Sequence, residues 1–377
     1  MALHRAMLSQ GVPSQLQSAS GSKFRAARRL DRQLWHLQRS RVPSWRSPAK
    51  FGSLSAADID ASDADVVNLH WVTDGFLSIE QISQITKPIV WSLYDMWPFC
   101  GTEHYGVDGL QDRWRNGYTT GNRPPSDKGF DLDRWTWQRK AELWSPMNVV
   151  PASWWLSDAV GSSALMRDWP RTRIPHVVDA EVFRPMPRRE ARHTLGLPTD
   201  VPLIVFLASA GVRDVRKGFD LLEQALAIIK TSYPEVGLAI AGPPDPEYAA
   251  SSGVELYWLG SISGDERLRA VYSAADVLAV PSREDNMPLT AMESQTCGRA
   301  VVAFDIGGMP DIVLHQRSGY LAQAEDVPDL AEGLLQALDD ARGADIWGQE
   351  ARSHALATWS EPVVVRQYLD LYESAVP

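Results

Sequence analysis

Short apolar runs, each about the length of a β-strand, alternate with longer amphipathic stretches along the whole chain. This alternation is typical of parallel β-sheets whose strands are connected by helices. The sequence therefore predicts an α/β fold. The predicted strands are residues 65–69, 89–93, 148–150, 203–208, 237–241, 255–259, 277–280 and 300–304, and most of the segments between them are predicted to be helical.

The chain is predicted to form two domains, because 377 residues are too many for one ordinary hydrophobic core. A stretch punctuated by prolines, residues 174–185, separates two series of strands and helices and is predicted to cross between the domains. The predicted domains are residues 1–175 and 176–360. Ligands of α/β folds bind beyond the carboxyl ends of the strands, so we expect a ligand there, between the two domains.

The charge and the cysteine content exclude several classes of protein. A net charge of −10 argues against a general nucleic-acid-binding protein, which needs a broad basic surface. Residues 1–50 are locally basic, with ten lysines or arginines against one aspartate. Because Cys100 and Cys297 are the only cysteines, a reducing compartment such as the cytoplasm is expected. The longest apolar run, residues 201–212, contains a proline and is too short to cross a bilayer.

The tryptophans are unevenly distributed, since twelve of the fifteen precede residue 170. Their flat rings can stack on sugars, but tryptophan is also a common core residue. Most of them are therefore predicted to lie in the core of the first domain.

Three cations, Arg213, Arg216 and Lys217, cluster where the predicted strand 203–208 turns into a periodic helix. A diphosphate leaving group gains negative charge as its bond to a sugar breaks. Such a cluster can stabilise that charge in place of a divalent metal. The alternative is a solvated basic loop.

A second signal follows the apolar strand 277–280. Pro288 suits the first position of a helix, and the free N–H groups of Leu289 and Thr290 are then expected to point at an anion. Asp285 precedes this helix and Glu293 lies in its second turn, so both carboxylates can face one ligand. Carboxylates accept hydrogen bonds from the vicinal hydroxyls of ribose and hexoses. The alternative is an exposed acidic helix.

A third loop contains Gly307 and Gly308, which follow the strand 300–304. Paired glycines allow the backbone to approach a ligand closely, although they also occur in ordinary turns. Three loops of this kind at successive strand ends indicate a nucleotide-sugar-like site.

These residues resemble the retaining family-4 glycosyltransferases, which have the GT-B fold of two Rossmann-like domains with a cleft between them. The spacing of Asp285 and Glu293 is similar to the family's E-x7-E signature, with Asp in the first place. The resemblance implies that Glu293 holds the ribose, that Asp285 and the glycine loop hold the transferred sugar, and that Lys217 binds phosphate. The predicted catalytic residues are Asp285, Glu293, Lys217 and Arg213, and the predicted donor-binding residues are Arg216, Asn286, Met287, Leu289, Thr290, Gly307 and Gly308.

The resemblance also implies the reaction. It implies that a hexose is transferred with retention from a nucleotide diphosphate sugar to a glycan or lipid-linked acceptor, without a metal and without a cofactor. The family architecture makes residues 176–360 the donor domain and residues 1–175 the acceptor-side domain. It also implies that a helix at 361–377 packs back on the first domain.

The similarity is closest to the colanic-acid and exopolysaccharide subgroup, through residues 68–72, 75–80, 88–98 and 283–288. Tyr94 stands where that subgroup typically has a histidine, and a tyrosine cannot carry protons as an imidazole does. Asp95 and His104 are the other acceptor-side candidates. The family's first strand and its glycine-rich turn have no counterpart at the start of the sequence.

Several alternatives remain open. One is a partner that binds a nucleotide sugar without catalysis, and another is a nucleotide-sugar epimerase. Three Asp-x-Asp strings, at 58–60, 63–65 and 131–133, suggest a manganese-dependent transferase instead.

The basic segment 24–37 has apolar residues at helical spacing and is similar to an interfacial membrane helix. It would suit peripheral association with an anionic membrane. Packing of this helix on its own domain is the alternative.

Overall fold

A computed structural model describes residues 2–40, 45–105, 112–208, 211–245, 248 and 251–376. Residues 209 and 210 of the apolar run 201–212 lie outside the described residues. The chain divides into two compact units. Unit 1 comprises Leu3–Ile174 and the C-terminal segment that begins at Arg366, and unit 2 comprises Pro175–Val365.

The strands are β1 Gln38–Arg39, β2 Val67–His70, β3 Ile89–Leu93, β4 Lys128–Gly129, β5 Asn148–Pro151, β6 Leu203–Leu207, β7 Gly237–Ala241, β8 Glu255–Gly260, β9 Val277–Val280, β10 Ala300–Phe304 and β11 Gly319–Ala322. The α-helices are α1 Ala2–Ser9, α2 Gly21–Gln33, α3 Ala56–Asp60, α4 Ile79–Gln84, α5 Arg113–Asn116, α6 Leu132–Leu143, α7 Trp154–Ser162, α8 Arg188–Leu195, α9 Phe219–Ile229, α10 Asp265–Ala274, α11 Leu289–Thr296, α12 Met309–Ile312, α13 Val327–Arg342, α14 Ile346–Trp359 and α15 Glu361–Ala375. Short 3₁₀ helices lie at Leu34–Leu37 and Val215–Lys217.

Unit 1 contains a parallel sheet with the strand order β2-β3-β5. Aromatic side chains fill much of its core, where Trp91 lies with its ring centroid 5.0 Å from that of Trp144. The end of α15 belongs to this unit, since the Tyr368 hydroxyl lies 2.9 Å from the Ser92 hydroxyl. The Asn68 amide likewise donates to the Tyr372 hydroxyl at 2.6 Å.

Unit 2 contains a six-stranded parallel sheet with the order β11-β10-β9-β6-β7-β8. Strands β7, β9 and β10 are buried along their whole length and are apolar throughout, as expected for a parallel sheet covered by helices on both faces. The chain runs outward from β6 in one direction and from β9 in the other. The gap between the carboxyl ends of β6 and β9 is therefore the topological switch point, where α/β sheets bind ligands.

All eight predicted strands are present, with ends that differ by at most two residues from the prediction. The prediction missed β11, which begins with a glycine and is only four residues long. It also missed the antiparallel pair of β1 and β4, whose two-residue strands carry no apolar pattern.

Candidate active site

The loops that follow β6 and β9 bring two cations and two carboxylates together at the switch point. The Lys217 ammonium donates to the Asp285 carboxylate at 2.7 Å, and Arg216 Nη1 lies 3.5 Å from the same oxygen. The Asp285 side chain is buried. Arg216 Nη2 also lies 3.8 Å from the Asp214 carboxylate, so two cations and two carboxylates meet at this edge of the sheet. Both cations are groups that can bind an anionic ligand.

A glycine makes the approach of these two loops possible. Gly218 has a φ of +67°, and a Cβ atom there would lie 1.8 Å from the Pro281 carbonyl oxygen. The Arg283 N–H also donates to the Arg216 carbonyl at 2.8 Å, which fastens the β9 loop to the β6 loop. Lys217 is thereby held next to Asp285 by backbone contacts on both sides of it.

The glycine pair after β10 packs against the same carboxylate residue. Gly307 has a φ of +53°, and a Cβ atom there would lie 1.9 Å from the Asp285 carbonyl oxygen. The Gly308 N–H donates to that carbonyl at 3.3 Å. The three loops predicted from the sequence to share one site are therefore in contact around Asp285.

The start of α11 differs by one position from the prediction. Pro288 is the N-cap rather than the first helical residue, because its ψ of 122° is extended. The N–H groups of Ala291 and Met292 donate to the Pro288 carbonyl, so Leu289 and Thr290 occupy the first helical positions, whose N–H groups have no acceptor within a helix. The predicted donor-binding residues just before this helix, Asn286 and Met287, are buried.

Glu293 lies in the second turn of α11, where the Tyr272 hydroxyl donates to its carboxylate at 2.7 Å. The interpretation of α11 as an exposed acidic helix is wrong, because most of the helix is buried. Burial raises the pKa of Glu293 to about 7, although the Tyr272 hydrogen bond lowers it; the charge of Asp265 raises it further. A carboxylate at this pKa changes charge within the physiological range.

Arg213 does not join the cluster around Asp285. Its side chain is 67% exposed and forms an ion pair with Asp245, with Arg213 Nη2 donating to that carboxylate at 3.0 Å. Arg216, which was predicted from the sequence as a donor-binding residue, is the arginine that lies beside Asp285.

No sequence pattern indicated a role for His176, which follows the proline at the start of unit 2. Burial lowers the pKa of His176 to about 4, although the negative charge of Asp285 raises it. The imidazole is therefore neutral at physiological pH and lies within the electrostatic range of the candidate site.

The acceptor-side candidates lie at the carboxyl end of β3 in unit 1. His104 Nδ1 lies 2.6 Å from the Asp95 carboxylate, and its Nε2 lies 2.8 Å from the Ser47 hydroxyl, so both ring nitrogens have partners within the unit. The Tyr94 hydroxyl forms a hydrogen bond with His70, and the two rings stack with centroids 5.7 Å apart. Burial raises the pKa of the Tyr94 hydroxyl well above its usual value, so it remains protonated.

The Asp-x-Asp string at 131–133 is part of an ion-pair network of unit 1. Arg113 binds Asp131 at 2.8 Å, and Arg46 binds Asp133 at 2.8 Å. Asp133 is buried, and its carboxylate also accepts from the Gln38 amide at 2.6 Å. These contacts give the string a role in the packing of unit 1.

Comparison with known proteins connects unit 2 to a family. Residues 201–340 match the family described as Glycosyl transferases group 1. The chain is 33% identical over 216 residues to a D-inositol 3-phosphate glycosyltransferase of Saccharomonospora viridis, a match that covers 53% of this chain and 49% of that protein. A D-inositol 3-phosphate glycosyltransferase of Mycolicibacterium smegmatis is 36% identical over 183 residues, or 45% of this chain and 41% of the relative. The chain thus spans about half the length of the curated relatives that it matches.

Solved structures match more of the chain at lower identity. Sucrose-phosphate synthase from Thermosynechococcus elongatus has a TM-score of 0.62 and 20% identity, over 84% of this chain and 75% of that chain. Anabaena HepE in complex with UDP has a TM-score of 0.60 and 16% identity, over 85% of this chain and 82% of that chain. At these identities the likeness concerns the fold alone, which is the α/β fold of the GT-B type. Residues 201–340 of unit 2 are therefore similar to the group 1 glycosyltransferases, and the chain has the α/β fold of the GT-B type.

Proposed function

We propose that this protein transfers a hexose from a nucleotide diphosphate sugar to a glycan or lipid-linked acceptor, with retention of configuration and without a metal ion. The observation that carries the proposal is the contact of three strand-end loops around Asp285 at the switch point of unit 2. Synthesis of a surface polysaccharide in the cytoplasm is the setting that the subgroup resemblance favours.

Each group at this site has a role in the proposal. Lys217, Arg216 and the first N–H groups of α11 bind the diphosphate, since cations and helix N-termini both stabilise phosphate charge. Glu293 accepts hydrogen bonds from the ribose hydroxyls. Asp285 and the Gly307-Gly308 loop hold the transferred sugar, and a diphosphate would then replace Asp285 as the partner of the Lys217 ammonium.

In metal-dependent transferases a divalent metal stabilises the negative charge that develops on the leaving phosphate. In this proposal Lys217 and Arg216 stabilise that charge instead. In the retaining mechanism drawn for this family, the leaving phosphate assists the incoming hydroxyl. The proposal therefore requires no protein base. A tyrosine at position 94, with its raised pKa, is compatible with such a reaction.

The test is donor turnover with UDP-, GDP- and ADP-sugars in the presence of EDTA, with the anomeric configuration of the product read by proton NMR. UDP-glucose is the first donor to try, because HepE is known in complex with it. Inositol phosphate belongs among the acceptors, since the curated relatives are named for it. We expect transfer with retention at unchanged rate in EDTA. Loss of activity in EDTA would overturn metal independence, and an inverted product would overturn retention.

Two further outcomes would replace the proposed activity. Donor binding without transfer or hydrolysis would make the protein a non-catalytic nucleotide-sugar-binding partner. Interconversion of the donor sugar without an acceptor would make it an epimerase.

The proposal extends to peripheral membrane association through α2. Among the described residues, no helix combines the length and the apolar character needed to cross a membrane. α2 packs on unit 1 through Ala27 and Asp31, and the Asp31 carboxylate accepts the Lys50 N–H at 2.7 Å. The opposite face exposes Arg25 and Arg29 beside an exposed leucine, Leu30, an arrangement suited to an anionic lipid surface.

We expect the protein to sediment with phosphatidylglycerol vesicles at moderate salt and not with phosphatidylcholine vesicles. The double variant Arg25→Glu and Arg29→Glu should bind at least about tenfold more weakly, because each basic residue near an anionic surface contributes about 1 kcal/mol. Lys128→Glu, a reversal of an exposed charge on β4, is the matched control. Failure of the unmodified protein to bind anionic vesicles would remove the membrane claim.

A further inference from the structure

Aromatic residues follow the carboxyl end of every strand in the parallel sheet β2-β3-β5 of unit 1. Trp71 follows β2 directly, Tyr94 follows β3 directly, and Trp154 begins α7 three residues after β5. Parallel pairing brings these three strand ends to one edge of the sheet. Trp71 is 47% exposed and Trp154 is 62% exposed, whereas most tryptophans of this unit are partly or wholly buried.

The backbone of Trp71 is strained. Its φ of +25° falls in the left-handed region, which a bulky aromatic residue rarely adopts. A conformation of this kind persists only when the surroundings impose it, and such strain is concentrated at functional sites. Because the indole is exposed, its burial contributes little free energy to offset the cost of this backbone conformation.

The contacts of the loop that follows Trp71 explain how the strain is maintained. The Asp74 carboxylate is bound by Arg28 at 2.7 Å and by Arg32 at 2.9 Å, both from α2. Gly75 lies so close to α2 that a Cβ atom would approach the Arg28 backbone nitrogen to 2.4 Å. The loop that follows Trp71 is therefore bound to α2 at two successive residues, Asp74 and Gly75.

A polar ring and a small cavity lie next to the indole. The His104 ring, which is bonded to Asp95, has its centroid 6.1 Å from that of Trp71. Trp71, Tyr94 and Asp95 also line a small cavity of about 10 Å³, roughly the space that one water molecule needs. The hydrogen-bonded pair of His70 and Tyr94 lies at the same edge.

We propose that Trp71 is the stacking platform for a pyranose ring of the acceptor, with the pair of His70 and Tyr94 bonding to its hydroxyls. A pyranose has an apolar face of C–H groups and a rim of hydroxyls. The negative face of an indole attracts the C–H groups, and the neighbouring polar groups satisfy the rim. The proposal rests on the proposed function for the identity of the ligand as an acceptor, while the site itself lies wholly in unit 1.

The probe is a panel of methyl glycosides of glucose, galactose and mannose, observed by saturation-transfer difference NMR on the full chain. We expect saturation of the C–H groups on one ring face for at least one glycoside. Trp71→Ala should weaken that binding about tenfold, as expected from the loss of one aromatic contact, and Trp71→Phe should weaken it less. Phe130→Ala is the matched control, because Phe130 is an aromatic residue of unit 1 with 49% exposure that follows β4.

Absence of saturation transfer for all the glycosides would overturn the proposal, as would equal binding by Trp71→Ala at an unchanged melting temperature. Stronger binding of uridine than of any glycoside, when lost in Trp71→Ala, would assign the platform to a nucleotide base instead. Lys217→Ala should bind the glycoside as the unmodified protein does, since Lys217 belongs to unit 2. Glycoside binding without sugar transfer would overturn the proposed function alone. Sugar transfer with an acceptor KM that is unchanged in Trp71→Ala would overturn this inference alone.

Discussion

Replacement of Lys217 by alanine is expected to lower the rate of sugar transfer by about 10²–10³-fold, the usual loss when one preorganised charge-stabilising group is removed. The ammonium lies 2.7 Å from Asp285, so its removal also leaves a buried carboxylate with less compensation. The remaining negative charge would repel a diphosphate. The measurement is initial transfer rate against donor concentration, which separates loss of binding from loss of transition-state stabilisation.

Two comparisons sharpen this prediction. Lys230→Ala, at the end of α9, removes a lysine of unit 2 that donates to the Gly253 carbonyl, and it should retain near-normal turnover. Arg216→Ala should reduce transfer more than Arg213→Ala does, because Arg216 lies beside Asp285 and Arg213 pairs with Asp245. A larger loss of transfer in Arg213→Ala than in Arg216→Ala would support the catalytic role that was predicted for Arg213 from the sequence.

Glu293→Ala is expected to reduce transfer by orders of magnitude, because this carboxylate is the proposed partner of two ribose hydroxyls. Glu293→Gln keeps an acceptor oxygen but loses the charge, and hydrogen bonds to charged groups are about twice as strong as neutral ones. The glutamine variant should therefore retain more activity than the alanine variant. Near-normal turnover in both Lys217→Ala and Glu293→Ala would contradict the assignment of the donor site.

The raised pKa of Glu293, about 7, adds a pH dependence. Below pH 7 the group is protonated and its direct bonds to ribose weaken, so the affinity for the donor should fall as the pH falls. A single group with this pKa makes binding about tenfold weaker at pH 6 than at pH 8. Calorimetry with an intact nucleotide sugar measures the effect, since the diphosphate of such a donor does not titrate in this range.

In Glu293→Gln the affinity for the donor should not change between pH 6 and pH 8. The lowered pKa of His176, about 4, keeps that imidazole neutral from pH 6 to pH 8, and burial holds the pKa of Tyr272 well above its usual value. Equal pH dependence in the glutamine variant and the unmodified protein would assign the titration to another group.

The sequence predicted the strands well because buried parallel strands are continuous apolar runs, as in β7 and β10. It predicted that three loops share one site because Lys217, Asp285 and Gly307 each lie in the segment that follows such a run. The direction in which each side chain points could not be predicted from the sequence. The 3₁₀ turn at Val215–Lys217 directs Arg216 toward Asp285, and residue spacing does not encode that turn.

The exposure of Trp71 in unit 1 also could not be predicted from the sequence. Most tryptophans of this unit are at least partly buried, as predicted, and only tertiary packing distinguishes Trp71 from them. The loop after Trp71, whose φ is positive, is bound to α2 through Asp74, and Asp74 and Arg32 lie 42 residues apart in the chain. No local sequence pattern indicates a contact between residues so far apart in the chain.

The end of α15 has a consequence for the order in which the chain can fold during synthesis. The Tyr368 hydroxyl forms a hydrogen bond with Ser92, which lies 276 residues earlier in the chain. The Tyr372 hydroxyl accepts a hydrogen bond from Asn68, which lies 304 residues earlier. Asn68 and Ser92 are made before Tyr368 and Tyr372, so they lack these two hydroxyl partners until the end of α15 leaves the ribosome. Contacts between such distant residues form slowly, because the chain between them must first be brought together. Unit 1 is therefore completed only after unit 2 has been made, because unit 2 lies between the two segments of unit 1 in the chain.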